Sequence, residues 1–250
     1  MSEFSSTKIA LIGSPNSGKS LLFNRLTGLN QKVANFPGIT VDISSGTSLV
    51  DSSTKYLDFP GVYSLKAISG EEKLAVASFY KALDTGHLDA VICVVDATRL
   101  EKGLIFALQV LETCRRHKMP MLIVANMTDV LELHKIQLDS QGLSAALKVP
   151  VLSISGKTGF GLDQIPAATA SATAPTETYA SAGDIIVSDD FLIHQHAQQL
   201  AHKYGPKGDL LINAQTRLDR FFLHSWVGGI SFFVIMYLLF QSIFTWAAPI

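Results

Sequence analysis

Gly13-Ser14-Pro15-Asn16-Ser17-Gly18-Lys19-Ser20 has the spacing G-x-x-x-x-G-K-[ST]. It sits between an apolar run, Lys8 to Gly13, and an amphipathic stretch, Leu21 to Gly28. A strand, a glycine-rich turn and a helix in that order aim backbone N–H groups inward, where they cradle phosphates. In such a loop Gly13, Asn16, Ser17, Gly18 and the following Leu21 border the phosphates. Lys19 reaches the β- and γ-positions, and the Ser20 hydroxyl takes a Mg2+ position. This motif alone leaves ATPase, GTPase and small-molecule kinase chemistry open.

The ends of later apolar runs narrow the choice. Asp58-Phe59-Pro60-Gly61 is D-x-x-G, in which the carboxylate holds the Mg2+ shell and the glycine N–H approaches a γ-phosphate. Asn126-Met127-Thr128-Asp129 has the N-x-x-D spacing of guanine readers. An Asp that accepts from guanine N1–H and N2–H2 finds no such donors on adenine, and charge-assisted bonds of about 1.5–3 kcal/mol each separate the two bases widely. Ser155-Gly156-Lys157 supplies a backbone N–H for guanine O6. Between the first helix and the Asp58 strand lies Asn35-Phe36-Pro37-Gly38-Ile39-Thr40-Val41. Gly38 and Thr40 are candidates there for sensing the γ-phosphate, with Thr40 as a Mg2+ ligand. Each short motif alone fits a turn or a cap, whereas four in order at four strand ends point to GTP.

Val62 follows Gly61 where a water-orienting glutamine would stand. Catalysis then needs another source. Asn16 offers a side-chain oxygen to a monovalent cation beside the β/γ-phosphates, where fixed charge stabilises the transition state. The catalytic candidates are Asn16, Lys19, Thr40 and Gly61, with Glu71 and Glu72 as weaker water-orienting candidates.

The apolar runs 8–13, 56–60, 89–97, 120–126 and 150–155 are short and rich in Val, Ile and Leu, as buried parallel strands are. Helical stretches lie between them, and Ser69–Glu72 and Thr98–Glu101 have capping-box spacing. The fold expected is α/β with a mostly parallel central sheet, over residues 1–165. Residues 166–183, rich in Ala, Thr and Ser, read as a helix end plus linker. A small helical subdomain is expected over 184–224, with a start at Ser188–Asp190 and a stop at Gly205-Pro206.

The last 25 residues, Trp226 to Ile250, hold 18 apolar residues and no Asp, Glu, Lys or Arg. They carry much of the mean hydropathy of +0.29. About 20 apolar residues cross a bilayer core of roughly 30 Å, so 225–250 is expected to be a transmembrane helix in contact with lipid. Arg217 and Arg220 precede it and no positive residue follows, which puts residues 1–224 on the cytoplasmic side. A chain ending just past one span reads as a fragment of a multi-pass protein.

Composition excludes other classes. Twenty basic against 21 acidic residues leave no electrostatic footprint for nucleic acid. Two cysteines, Cys93 and Cys114, make neither a disulfide framework nor a zinc site. His194, His196, His202 and His224 lack ligand spacing and read as solvated.

GSPNSGKS, NFPGITVD, DFPGVYSL and NMTD together, with RLDRFFLH running into the apolar segment, resemble the N-terminal part of the FeoB family of bacterial ferrous-iron transport proteins. The resemblance implies a Ras-like P-loop GTPase domain, a helical domain that slows nucleotide release, and a following Fe2+ permease in the bacterial inner membrane, absent from these residues. It also implies GTP and GDP as ligands, Mg2+ as cofactor, and K+ activation through Asn16. Homo-oligomerisation is left open. Met127 stands where the usual N-K-x-D has Lys, as is common in the family, and Ser14 where the family often has Asn. Alternatives from other classes are a GTP-dependent switch without turnover and an RNA-associated GTPase of the Era or TrmE kind.

Overall fold

In the computed structural model the described residues are 6–29, 31–34, 41–66, 70–175, 190–206 and 225–242. The chain divides into two compact units, 1–207 and 208–250.

The first unit is built on a seven-stranded sheet of β1 (Thr7–Gly13), β2 (Gln31–Ala34), β3 (Ile43–Thr47), β4 (Thr54–Asp58), β5 (Ala90–Asp96), β6 (Met121–Asn126) and β7 (Val151–Ser153). The order is β2-β3-β4-β1-β5-β6-β7. The five strands from β4 to β7 are parallel, and each matches an apolar run expected to be a strand. β2 and β3 add an antiparallel pair at one edge. The sequence does not announce them, because Ile43-Ser-Ser-Gly-Thr47 carries little β-branched or aromatic surface. An antiparallel pair tolerates such polarity because one of its faces can meet water.

Helices cover both faces, as a parallel sheet requires. They are α1 (Lys19–Thr27), α2 (Gly70–Asp84), α3 (Leu100–Arg116), α4 (Thr128–Leu133), α5 (Ser140–Leu147), α6 (Ile165–Ala170) and α7 (Asp190–Tyr204). Side chains alternate along each strand. Ile9 and Leu11, Ile92 and Val94, and Leu122 and Val124 therefore share one face with Leu22, Phe23 and Leu26 of α1 and Ile165 of α6. Their alternates Ala10, Ile12, Val91, Cys93 and Ile123 are equally buried, on the other side. α3 packs against β5, and α7 packs against α3 and α5.

Two local expectations change. The Thr98–Glu101 capping box is not formed. Asp96 instead accepts from the Thr98 N–H at 2.8 Å and the Thr98 hydroxyl at 2.7 Å, capping a short 3-10 turn, Ala97–Arg99, ahead of α3. A carboxylate two residues upstream reaches the first free amide before Thr98 can turn to cap α3. As read from the sequence, 166–183 opens with a helix end: residues 166–170 continue α6, with Ile165 and Thr169 buried. α7 stops at Gly205-Pro206 as read from the sequence. It belongs to the first unit, and the Asp139 N–H donates to Tyr204 O at 3.0 Å. Ser69 and all of 176–189 and 207–224 lie outside the described residues.

In the second unit, α8 (Ser225–Gln241) is an uncharged helix of 17 residues. Phe232, Phe233, Ile235, Leu238 and Phe240 are all exposed, so its apolar surface runs round the helix. Among the described residues no helix is long and apolar enough to cross a membrane. Trp246 and residues 243–250 of the expected span lie outside the description.

Candidate nucleotide site

The carboxyl ends of β4, β1, β6 and β7 open on one edge of the sheet, where ligands of such folds bind. After β1 the chain turns through Asn16, at φ 64°, and Gly18, at φ 81°, and enters α1 at Lys19. Asn tolerates the left-handed region better than most side chains, and its side chain is exposed and takes no part in the described hydrogen bonds. Gly18 has no alternative. A Cβ there would stand 2.2 Å from Asn126 Nδ2. The Ser17 N–H donates to Ser14 O at 3.2 Å, closing the turn, while the Ser17 hydroxyl is buried with no partner.

The loop after β4 is fastened to the end of β1. Phe59 N–H donates to Leu11 O at 3.1 Å and Val62 N–H to Gly13 O at 3.3 Å. Gly61 lies so close to Pro15 that an added Cβ would sit 3.2 Å from its nitrogen. Lys19 and Asp58 form an ion pair, both largely buried. The Ser20 hydroxyl donates to the other Asp58 oxygen at 3.4 Å. A carboxylate and a hydroxyl this close are hard oxygen donors suited to Mg2+. Val62 is buried, which removes it from any contact with water. The following residues are held by α3, whose Gln109 Oε1 accepts from Ser64 Oγ at 3.0 Å and from Leu65 N–H at 2.8 Å. Tyr63 N–H reaches Glu72 Oε1 at 3.4 Å.

On the other side of the loop, Asn126 at the end of β6 works as a clasp. Its Nδ2 donates to Ser17 O at 3.0 Å, and its Oδ1 accepts from Gly156 N–H at 2.8 Å. Met127 takes φ 68° to start α4, which places Asp129 in the first helical turn. Ser155 Oγ donates to Asp129 Oδ1 at 2.7 Å and accepts from Thr158 N–H at 3.1 Å. From α1, Arg25 Nε donates to Gly156 O at 3.2 Å and Nη2 to Lys157 O at 2.9 Å. Leu21 is adjacent, 3.6 Å from the position of a Cβ on Gly156.

Gly13, Asn16, Ser17, Gly18, Lys19, Ser20, Leu21, Asp58, Gly61, Asn126, Met127, Asp129, Ser155, Gly156 and Lys157 thus come from separate parts of the sequence to this one edge. Gly38 and Thr40 lie outside the described residues. Gln109 and Arg25 were not found from the sequence. Each looks like an ordinary polar residue on an amphipathic helix, and no spacing links it to the loop it holds.

One further reading is adjusted. His196 is half-buried rather than solvated, and burial holds its pKa below the usual imidazole value. His194 Nδ1 lies 2.7 Å from Asp190 O. Among the described residues no group of His, Cys, Asp and Glu could hold a metal ion. Cys93 and Cys114 are free and buried, and burial pushes the Cys114 thiol up to about 12 and Cys93 higher still, so neither is a nucleophile.

A family model described as Ferrous iron transport protein B matches residues 7–169. The Fe(2+) transporter FeoB of Leptospira biflexa serovar Patoc is 40% identical over 158 residues, 63% of this chain and 22% of that protein. A GDP-bound variant of the S. thermophilus NFeoB domain is 40% identical with a TM-score of 0.60, over 70% of this chain and 64% of that one. A GDP·AlF4−-bound crystal structure of NFeoB from the same source is 40% identical with a TM-score of 0.56, over 66% and 63%. The chain spans about a fifth of the length of the curated relatives it matches.

Proposed function

Because the chain belongs to the ferrous iron transport protein B (FeoB) family, we propose that residues 1–207 bind and hydrolyse GTP with Mg2+, and that the nucleotide state gates an Fe2+ permease. The observation that carries this reading is the Asn126 clasp, which joins the phosphate loop to the loop suited to guanine O6. A P-loop kinase has no use for Asn126 and Asp129 in these places. The GDP and GDP·AlF4− complexes of the NFeoB relatives support the same ligand class.

The chain's own residues have distinct tasks in this reaction. Lys19 offsets charge building on the β/γ-bridge and γ-oxygens, and the loop N–H groups from Asn16 to Ser20 hold the phosphates in line. Asp58 and Ser20 would hold Mg2+, which would supply neutralisation of phosphate charge. The buried, partnerless Ser17 hydroxyl fits a phosphate oxygen as acceptor. Thr40, outside the described residues, is the remaining candidate that would hold Mg2+, and Gly61 would donate its N–H to a γ-phosphate. Asn16, exposed and unengaged at its left-handed turn, fits K+ as an oxygen ligand beside the phosphates. Residues 225–250 form the first membrane span, in contact with lipid, of a multi-pass bacterial inner-membrane protein with 1–224 on the cytoplasmic side. The all-round apolar surface of α8 supports this.

One observation favours a second reading, a switch without turnover: Val62 is buried where a water-orienting side chain would stand. Multiple-turnover phosphate release with GTP and Mg2+, in K+ against Na+, separates the two. The expected result is release stimulated by K+ in the wild type and unstimulated in Asn16→Ala. Equal rates in both salts would remove Asn16 from catalysis, and no release in any salt would leave the switch. For the coupling, Fe2+ uptake by the full-length transporter is expected to fall in Lys19→Ala; unchanged uptake would detach transport from the nucleotide.

A further inference from the structure

The loop from Ser155 to Phe160 spends nearly all its backbone donors on the protein. Ser155 N–H donates to Phe160 O, Gly156 N–H to Asn126, Thr158 N–H to Ser155 Oγ and Gly159 N–H to Ser155 O. Lys157 N–H takes no part in the described hydrogen bonds. It is therefore the amide open to a base. The carbonyl of the same peptide unit, Gly156 O, is the one that Arg25 Nε holds at 3.2 Å. No peptide in the described chain is cis. In a planar trans peptide the C=O and N–H point in opposite directions, so fixing one aims the other. A guanidinium on the carbonyl also draws electron density toward oxygen and makes the N–H a stronger donor.

The second arm of the fork adds to this. Arg25 Nη2 holds Lys157 O, the next carbonyl, whose peptide partner is the Thr158 N–H bound to Ser155 Oγ. Ser155 Oγ in turn donates to Asp129 Oδ1. One planar fork thus sets two successive peptides of the loop, which a lysine's single ammonium cannot do with the same geometry. Arg25 is on the same helix as Lys19 and Ser20, so the phosphate end and the base end of the site share a rigid element.

We propose that Arg25 is a positioning residue for guanine recognition: it aims and polarises the 156–157 peptide so that Lys157 N–H donates to O6 of a guanine nucleotide. The assignment rests on the guanine-nucleotide reading of the site. It differs from a general packing role in a measurable way, because it acts on the 6-position of the base. Exchanging O6 for sulfur gives 6-thio-GDP, which keeps N1–H and N2–H2 for Asp129 but has a poor acceptor at position 6.

Dissociation constants for GDP, 6-thio-GDP and ADP, measured by calorimetry on the whole chain in detergent, test it. The wild type should prefer GDP over both. Arg25→Ala should lose on the order of tenfold for GDP and much less for 6-thio-GDP, so that discrimination at position 6 collapses. Arg25→Lys, which keeps the charge and one carbonyl bond, should recover part of it and carries the test if the alanine variant fails to fold. Unchanged GDP affinity in Arg25→Ala, or equal losses for GDP and 6-thio-GDP, would overturn the assignment. A wild type that binds ADP as well as GDP would overturn the guanine reading itself, and the assignment with it.

Discussion

Replacing Asn126 by alanine removes two hydrogen bonds and leaves Ser17 O and Gly156 N–H facing an apolar gap. Asn126 is almost fully buried, so water does not readily replace the amide. Each orphaned group costs about 1–3 kcal/mol. Urea denaturation of Asn126→Ala should therefore show a midpoint well below wild type even without nucleotide, whereas a residue serving only to touch ligand would leave it unmoved. Asn126, Gly18, Lys19 and Asp58 were legible in the sequence because their chemistry requires one residue type at fixed spacing from a strand end. Arg25 was not. Its fork closes over 131 residues of sequence separation onto backbone carbonyls, which carry no side-chain signature.

Among the elements, α3 connects the most parts of the first unit. It packs on β5 and on α7, and through Gln109 it grips Ser64 and Leu65 in the loop that follows Gly61. Gln109→Ala frees that loop without touching the phosphate cradle. GTP hydrolysis should fall several-fold while GDP affinity, measured by calorimetry, stays within about twofold; parallel loss of both would mean that α3 shapes the binding site itself. One turn further along, α3 carries Glu112, whose pKa is lowered chiefly by the Arg115 hydrogen bond, with Arg116 contributing. A depressed carboxylate stabilises the fold above its unfolded pKa and loses that contribution as pH falls through the lower folded value. The melting-temperature difference between wild type and Glu112→Gln should therefore hold from neutral pH down to the ordinary carboxylate range and close only as pH falls below that range. The central strands β1, β5 and β6 were legible as apolar runs because burial on both faces leaves little room for polar alternates. The β2–β3 edge was hidden because its pairing is set by backbone rather than by side chains.

At the scale of the whole molecule, the site lies in one of two compact units. Every described residue assigned to nucleotide comes before 207. Ligand binding to the folded state alone should raise the stability of that unit by about 2.7 kcal/mol at a hundred times the dissociation constant. Differential scanning calorimetry with GDP should then show one transition that climbs with nucleotide concentration and is indifferent to ADP. Composition located the boundary between the units only coarsely. Charge disappears after Arg220, but α7, assigned by pattern to a separate subdomain, is held on α3 and α5 by contacts distant in sequence.

Asn126 also has a consequence for the ligand. By pinning the phosphate loop and the base loop to a single amide, it fixes the spacing between two half-sites, as a chelating agent fixes its donor atoms. Guanosine and pyrophosphate added as separate molecules each sacrifice their own freedom of motion, while GDP does so once for both. Their joined affinity should exceed the product of the separate ones through effective concentration alone. Any stretch of the clasp would squander that advantage before either half-site lost a single contact.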